Sequence, residues 1–101
     1  MPVKILAKNY RCPAGEADLL ALDKSGAEET LVFVEVKTRS SDKYTVPESA
    51  VNSAKQQKLR GIAEYYLATH NTGPRGVRFD VVSIVIPPGG EPNIRHIPEA
   101  F

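Results

Sequence analysis

The residues of this sequence best suited to chemistry are an acid and a lysine near the end of an apolar run. Glu35 and Lys37 lie in the stretch Leu31 to Arg39, whose β-branched and aromatic residues favour a strand. Because side chains alternate along a strand, the two lie on one face, about 7 Å apart. The apolar residues occupy both faces, which predicts a strand buried on two sides. Charges there require an ion pair, a ligand or a cleft.

A second acid opens the strand predicted before this one. Asp18 lies near the start of Glu16 to Leu22, whereas Glu35 lies near the end of the next strand. In an antiparallel pair these positions meet at the same end of the sheet, where like charges repel. Mg²⁺ or Mn²⁺ would relieve the repulsion, because both ions prefer oxygen ligands. Asp18 and Glu35 are therefore predicted metal ligands.

Three neighbouring groups could complete such a site. Glu16 shares a strand face with Asp18, and the backbone carbonyl of Val36 lies next to Glu35, so each could add an oxygen ligand. Lys37 could orient or help deprotonate the attacking water, or stabilise charge that develops on a phosphate. This set is typical of phosphodiester hydrolysis. A Glu-x-Lys sequence alone is common, however, and a surface ion pair also explains it.

Nucleic-acid binding would depend on local clustering of cations. The net charge of +1 does not indicate a strongly basic protein. Cationic side chains nevertheless concentrate between residues 37 and 60. The predicted nucleic-acid contacts in this segment are Arg39, Lys43, Lys55, Gln56, Lys58 and Arg60. A solvated helix face beside a charged loop is the alternative explanation of the same cluster.

Other polar residues are predicted to be structural. Asp80 lies between Phe79 and Val81 in a central strand, which favours a hydrogen-bonding or ion-pairing role. His96 is predicted to pack, because no second histidine or cysteine accompanies it with metal-site spacing. Cys12 is the single cysteine and is predicted to be a reduced thiol.

The elements that position these residues follow from periodicity. Strands are predicted at Val3 to Ala7, Glu16 to Leu22, Leu31 to Arg39, Val77 to Ile86 and Ile94 to Ile97. Turns or loops are predicted at Arg11 to Gly15, Asp23 to Glu29, Ser40 to Pro47, His70 to Gly76 and Pro87 to Gly90. The order predicts an α/β fold with a mixed sheet, in which an antiparallel meander is followed by a right-handed helical crossover to a parallel strand.

The crossover is a predicted helix that follows Asn52 or Ser53 as its N-cap and continues to about Thr69. Its apolar face comprises Leu59, Ile62, Ala63, Tyr66 and Leu67. Lys55 and Gln56 flank that face one turn earlier, so they are candidates to point toward the edge of the sheet; snorkelling at a helix start is the alternative. One helix covers only one face of the sheet, although two strands are predicted to be buried on both.

Size and composition predict one domain over residues 1–101, with 42% hydrophobic and 25% charged residues. The first six residues lack an apolar stretch long enough for a signal peptide, and no membrane span is present. We therefore expect a cytoplasmic protein.

The motifs together resemble the small bacterial YraN-like proteins, over essentially the whole chain. They comprise Asn9-Tyr10-Arg11, Gly15-Glu16-Ala17-Asp18-Leu19, Val32 to Arg39, Ala50-Val51 with Lys55, Arg78 to Val82 and His96 to Phe101. That family is grouped with the restriction-endonuclease-like nucleases, near the archaeal Holliday-junction resolvases. The resemblance implies a restriction-endonuclease-like sheet. It assigns Asp18 and Glu35 as Mg²⁺ or Mn²⁺ ligands, Lys37 as the catalytic lysine and Glu16 as an accompanying acid.

One departure from that family concerns its first helix. Relatives carry an additional amphipathic helix that packs on the sheet face opposite the crossover helix, and this sequence begins after it. We therefore expect the open face to be buried in a homodimer, or the chain to be a truncation. The function implied is a metal-dependent endonuclease acting on DNA, with branched DNA as the substrate that the resolvase kinship implies. The alternative is a non-catalytic nucleic-acid-binding or protein-interaction adaptor that retains the nuclease fold.

Overall fold

The fold is a five-stranded mixed sheet with one helix, as a computed structural model describes it for residues 3–40, 53–70 and 76–101. The elements in chain order are β1 (Val3–Cys12), β2 (Gly15–Asp23), β3 (Thr30–Arg39), α1 (Ser53–Thr69), β4 (Gly76–Val85) and β5 (Asn93–Ile97). All five predicted strands and the helix are confirmed. The predicted loop Ser40 to Pro47 lies outside the described residues apart from Ser40, and so do residues 71–75 of the loop His70 to Gly76.

The strands lie side by side in chain order, from β1 to β5. β1, β2 and β3 form an antiparallel meander, β3 and β4 are parallel, and β5 returns antiparallel to β4. The parallel pair requires a crossover, and α1 is the helical element between its two strands. This confirms the predicted mixed α/β sheet.

The first hairpin is tighter and longer than the sequence predicts. β1 continues to Cys12 and β2 begins at Gly15, so Pro13 and Ala14 alone connect them. Gly15 has a φ of 140°, a backbone conformation that favours glycine. A side chain there would also meet the aliphatic part of Lys58 from α1. The start of β2 therefore lies directly under the helix.

The main core lies between the sheet and α1. Its buried residues are Ala17, Leu20, Leu22, Leu31, Phe33, Leu59, Ile62 and Ala63, with Tyr66 partly buried against them. The assignment of Leu67 to the apolar face is wrong, because its side chain is 38% exposed. At 3.6 residues per turn, Leu67 lies roughly 80° around the helix from Leu59, at the margin of the stripe.

The opposite face of the sheet is also apolar. Ala21, Val32 and Val34 are buried there and form a second small cluster. A groove of about 180 Å³ lies over this cluster and reaches Ile5 on β1 and His96 on β5. Within the described ranges, α1 is the only helix, and it packs on the other face.

The carboxyl end of the chain is fixed to β4. The buried carboxylate of Asp80 accepts hydrogen bonds from the Arg78 guanidinium at 2.9 and 3.1 Å and from the Glu99 N–H at 3.1 Å. His96 Nε2 lies 2.7 Å from the same carboxylate. Phe101 stacks on Phe79 with ring centroids 5.1 Å apart. The structural role predicted for Asp80 is confirmed, and His96 bonds to it.

Candidate functional site

The candidate site lies where β2 separates from β3. Their pairing runs from Asp23 opposite Thr30 to Leu19 opposite Val34 and then stops. The next residue of β2 is Asp18, and its carboxylate Oδ2 accepts a hydrogen bond of 2.7 Å from the backbone N–H of Val36. A side chain thus bonds to β3 just past the last paired residues. The two predicted acids meet at this opening in the sheet.

Glu35 is the more buried of these acids. It is 5% exposed, although its neighbours Val36 and Lys37 are half-buried. Burial raises the pKa of Glu35, and hydrogen bonding and charge repulsion from Asp18 raise it further. The ammonium of Lys55 opposes this shift, because its Nζ lies 3.2 Å from Glu35 Oε1. Asp18, Glu35 and Lys55 therefore form one electrostatic unit.

Lys37 lies two residues further along β3, opposite Ser83 of the parallel strand β4. Its side chain is half-buried, and among the described residues it forms no hydrogen bond or ion pair. It shares a strand face with Glu35 by alternation. Its ammonium is therefore not committed to a carboxylate in the described part of the chain.

The two remaining predicted ligands are the carboxylate of Glu16 and the backbone carbonyl of Val36. Glu16 forms an ion pair with Arg11, opposite it on β1, and the side chain of Arg11 is largely exposed whereas that of Glu16 is half-buried. That contact directs the Glu16 carboxylate to the β1 edge. The carbonyl of Val36 stays a predicted ligand. Its N–H, which the sequence did not single out, holds Asp18.

The donor set suits a hard divalent cation. Asp18 and Glu35 offer carboxylate oxygens at one point, and burial of Glu35 together with the neighbouring Asp18 raises the pKa of Glu35 by disfavouring its charged form. Among the residues that the structure describes, no group of three or more histidine, cysteine or acidic side chains could hold a metal. Mg²⁺ typically binds through one or two carboxylates and keeps several waters. Two carboxylates therefore fit Mg²⁺ or Mn²⁺ better than a softer metal.

The predicted nucleic-acid contacts are distributed over two regions. Lys55 contacts Glu35 at the site, and the aliphatic part of Lys58 runs over Gly15 near the start of β2. Arg60 lies elsewhere, with its guanidinium carbon 5.5 Å from the ring centroid of Phe101.

The other three predicted contacts are Arg39, Gln56 and Lys43. Arg39 ends β3 half-buried, and its carbonyl accepts a hydrogen bond of 2.8 Å from the Ile86 N–H. Gln56 is half-buried at the start of α1. Lys43 lies outside the described residues.

The sequence predicts that Lys55 points toward the edge of the sheet, but it does not predict the ion pair of Lys55 with Glu35. A signal was present, because Lys55 lies four residues before Leu59 and so shares the face of α1 that packs on the sheet. A lysine on that face at the start of the helix has few partners other than the polar end of β3.

These features define a class before they define a family. A five-stranded mixed sheet with an antiparallel meander, one parallel pair and a helix after β3 is consistent with the restriction-endonuclease-like fold. The chain belongs to the uncharacterised protein family UPF0102, whose model matches residues 2–84. This confirms the resemblance to YraN-like proteins.

Individual relatives agree with this assignment. A UPF0102 protein of Geobacter metallireducens is 46% identical over 98 residues, which are 97% of this chain and 76% of the relative. A UPF0102 protein of Syntrophus aciditrophicus is 45% identical over 87 residues, covering 86% of this chain and 65% of the relative. A UPF0102 protein of Beutenbergia cavernae is 43% identical over 95 residues, which are 94% of this chain and 77% of the relative.

Within the described residues, no helix is long and apolar enough to cross a membrane.

Proposed function

We propose that this protein is a metal-dependent endonuclease that hydrolyses DNA phosphodiester bonds. The observation that supports the proposal best is the meeting of Asp18 and Glu35 at the opening between β2 and β3, with Lys37 two residues further on. A core strand that carries a buried acid such as Glu35 loses stability through desolvation of the charge. Such a cost is common at functional sites.

The acids would act by holding one cation. A bound Mg²⁺ or Mn²⁺ would polarise the phosphodiester and make a coordinated water more acidic. Asp18 is oriented for this role by the Val36 N–H, because that hydrogen bond occupies Oδ2 and fixes the plane of the carboxylate. Glu35 is oriented by the packed strand on which it lies.

Lys37 would act on the substrate. An ammonium with no carboxylate partner among the described residues can hold a phosphate oxygen or stabilise negative charge as the phosphorus–oxygen bond breaks. Arg39, Lys43 and Lys58 are proposed contacts to the phosphate backbone, with Lys55 and Gln56 at the site end of α1. Branched DNA is the proposed substrate and the cytoplasm the proposed location.

The test is cleavage of linear and four-way-junction DNA with and without Mn²⁺ or Mg²⁺. We expect cutting that requires the metal and falls at least about 100-fold in Glu35→Ala and Asp18→Asn. Glu64→Gln is the matched control, because Glu64 is an exposed acid on α1, and it should cut as the wild type does. Cutting that survives Glu35→Ala would identify a contaminating nuclease and remove the proposal.

A second candidate function is a non-catalytic DNA-binding or protein adaptor with the same fold. It is favoured by the donor set, which contains two acids rather than three in the described part of the chain. Metal-independent binding of junction DNA without any cleavage would select this candidate.

A further inference from the structure

Glu35 forms an ion pair with a lysine of the crossover helix. Lys55 Nζ lies 3.2 Å from Glu35 Oε1, and the two side chains are 34% and 7% exposed. Lys55 lies in the first turn of α1 on its sheet-facing side, four residues before the fully buried Leu59. Packing of the helix therefore brings this ammonium to the carboxylate.

Among the described residues, Lys55 is the lysine that forms an ion pair with a proposed metal ligand. A divalent cation bound by Asp18 and Glu35 would lie next to an ammonium already held by Glu35. Two cations at one carboxylate repel each other, and this repulsion is strong where burial limits screening by water. Displacement of one cation would relieve this repulsion, and the lysine is the cation on a flexible stem.

We propose that Lys55 is an exchangeable internal counter-ion, which a divalent cation displaces from Glu35 when it binds. The inference rests on the proposed metal site. Lys55 stabilises the charge of Glu35 while no metal is bound, and by competing for that carboxylate it weakens metal binding. Lys55 thereby raises the concentration of Mg²⁺ or Mn²⁺ at which the site is half occupied.

A static ion pair makes the opposite prediction. If Lys55 stays on Oε1 while a metal uses the other oxygen, its role is to hold Glu35 in position. Removal of Lys55 would then leave metal affinity unchanged or weaker. The sign of the change in metal affinity therefore separates exchange from support.

The experiment measures Mn²⁺ binding to the full chain without DNA, by calorimetry or by the electron paramagnetic resonance of unbound Mn²⁺, at pH 8. Lys55→Met keeps the length of the side chain and removes its charge. We expect it to bind Mn²⁺ about fivefold more tightly than the wild type, as loss of a partly exposed competing ion pair implies. Lys55→Arg keeps the charge and should bind within about twofold of the wild type.

Two controls make the result specific. Lys58→Met removes the same charge from the same helix, at a residue that packs over Gly15, and so measures the long-range effect of charge alone. Glu35→Gln should abolish the tight Mn²⁺ site both in the wild type and in the Lys55→Met variant. Circular dichroism and thermal melting verify that every variant is folded.

The outcomes separate the inference from the proposed function. If wild type binds Mn²⁺ and Lys55→Met binds it equally or more weakly, the exchange is refuted while the metal site stands. The exchange is also refuted if Lys58→Met gains as much affinity as Lys55→Met. If neither wild type nor Lys55→Met binds Mn²⁺ in a Glu35-dependent way, the metal site fails and the exchange fails with it.

Discussion

The carboxylate of Asp18 holds the backbone of Val36, with 2.7 Å between Oδ2 and the amide nitrogen. This bond replaces the backbone ladder at the point where β2 and β3 separate, because their regular pairing ends at Leu19 and Val34. The bond also fixes Asp18 next to Glu35, the residue that precedes Val36. One side chain therefore serves the fold and the candidate site together.

The two roles of Asp18 are separable by substitution. Asp18→Ala leaves the Val36 N–H without its partner, so we expect the free energy of unfolding to fall by about 1–2 kcal/mol. Asp18→Asn retains an acceptor oxygen for that N–H, so its free energy of unfolding should fall by less than about 0.5 kcal/mol. The same substitution should abolish metal binding and lower the rate of cleavage at least about 100-fold. Urea denaturation without metal, together with Mn²⁺ titration, measures both. Equal destabilisation by the two substitutions would show that the charge itself stabilises the fold.

Glu35 should make stability depend on pH. Its pKa in the folded protein is raised above the ordinary 4.5, first by burial and then by Asp18, although Lys55 opposes the shift. The folded state therefore resists loss of this proton, and the contribution of Glu35 to stability falls as pH rises from about 4.5 through the folded pKa. Glu35→Gln removes this penalty, so the variant should gain stability over the wild type as pH rises.

Thermal melts from pH 4 to pH 8 without divalent metal test this prediction. The melting temperature of Glu35→Gln minus that of the wild type should be smallest near pH 4 and grow toward pH 8. Mn²⁺ should reduce the difference by stabilising the wild type alone. Glu64→Gln, an exposed acid on α1, is the control and should track the wild type throughout. A difference that does not change with pH would show that burial of the charge has no net cost.

The sequence predicts the strand order and the nearness of Asp18 and Glu35 because these depend on local regularities. Alternation assigns residues to faces, and an antiparallel meander brings the start of β2 to the end of β3. The ion pair between Lys55 and Glu35 depends on how far α1 extends along the sheet, which alternation does not determine. The exposure of Leu67 has a related cause, because periodicity marks an apolar stripe but not its margin.

Asp80 should contribute acid-sensitive stability. Burial alone would raise the pKa of this carboxyl, but hydrogen bonds from Arg78, His96 and the Glu99 N–H lower it below the ordinary 3.8. Stability from Asp80 is therefore present above pH 3.8 and is lost as pH falls through the lower folded pKa. Asp80→Asn should cost about 3 kcal/mol at pH 7, because it breaks a buried ion pair.

Urea denaturation at several pH values measures that cost. The deficit of Asp80→Asn should be constant from pH 5 to pH 7 and shrink below pH 3.8. Glu91→Gln, an exposed acid in the described chain, should show no deficit. A deficit that stays constant into the acid range would assign the role of Asp80 to packing.

Two cations of α1 should differ in their effect on DNA binding. The aliphatic part of Lys58 lies over the start of β2 at Gly15, whereas Arg60 packs over the stacked rings of Phe79 and Phe101. Lys58→Ala should weaken DNA binding uniformly and lower the dependence of log affinity on log salt by about 1. Arg60→Ala should cost about 1 kcal/mol of stability through the lost cation–π contact. Fluorescence anisotropy at several salt concentrations, with Ca²⁺ replacing Mg²⁺, measures the DNA affinity of the two variants. An equal loss of salt dependence in both variants would make Arg60 a phosphate contact as well.

The open face of the sheet should bind a second copy of the chain. Ile94 is 66% exposed, Ile5 is 48% exposed, and both lie at opposite edges of the face that holds Val32 and Val34. Apolar surface of this extent is stabilised by burial, so we expect a mass of twice 11.0 kDa in sedimentation at high protein concentration. Ile94→Lys should shift the protein to monomer. Leu67→Lys introduces the same charge on α1, on the opposite face of the sheet, and should leave the dimer intact. A wild-type monomer at about 1 mM, well above the dissociation constants of stable dimers, would contradict the prediction.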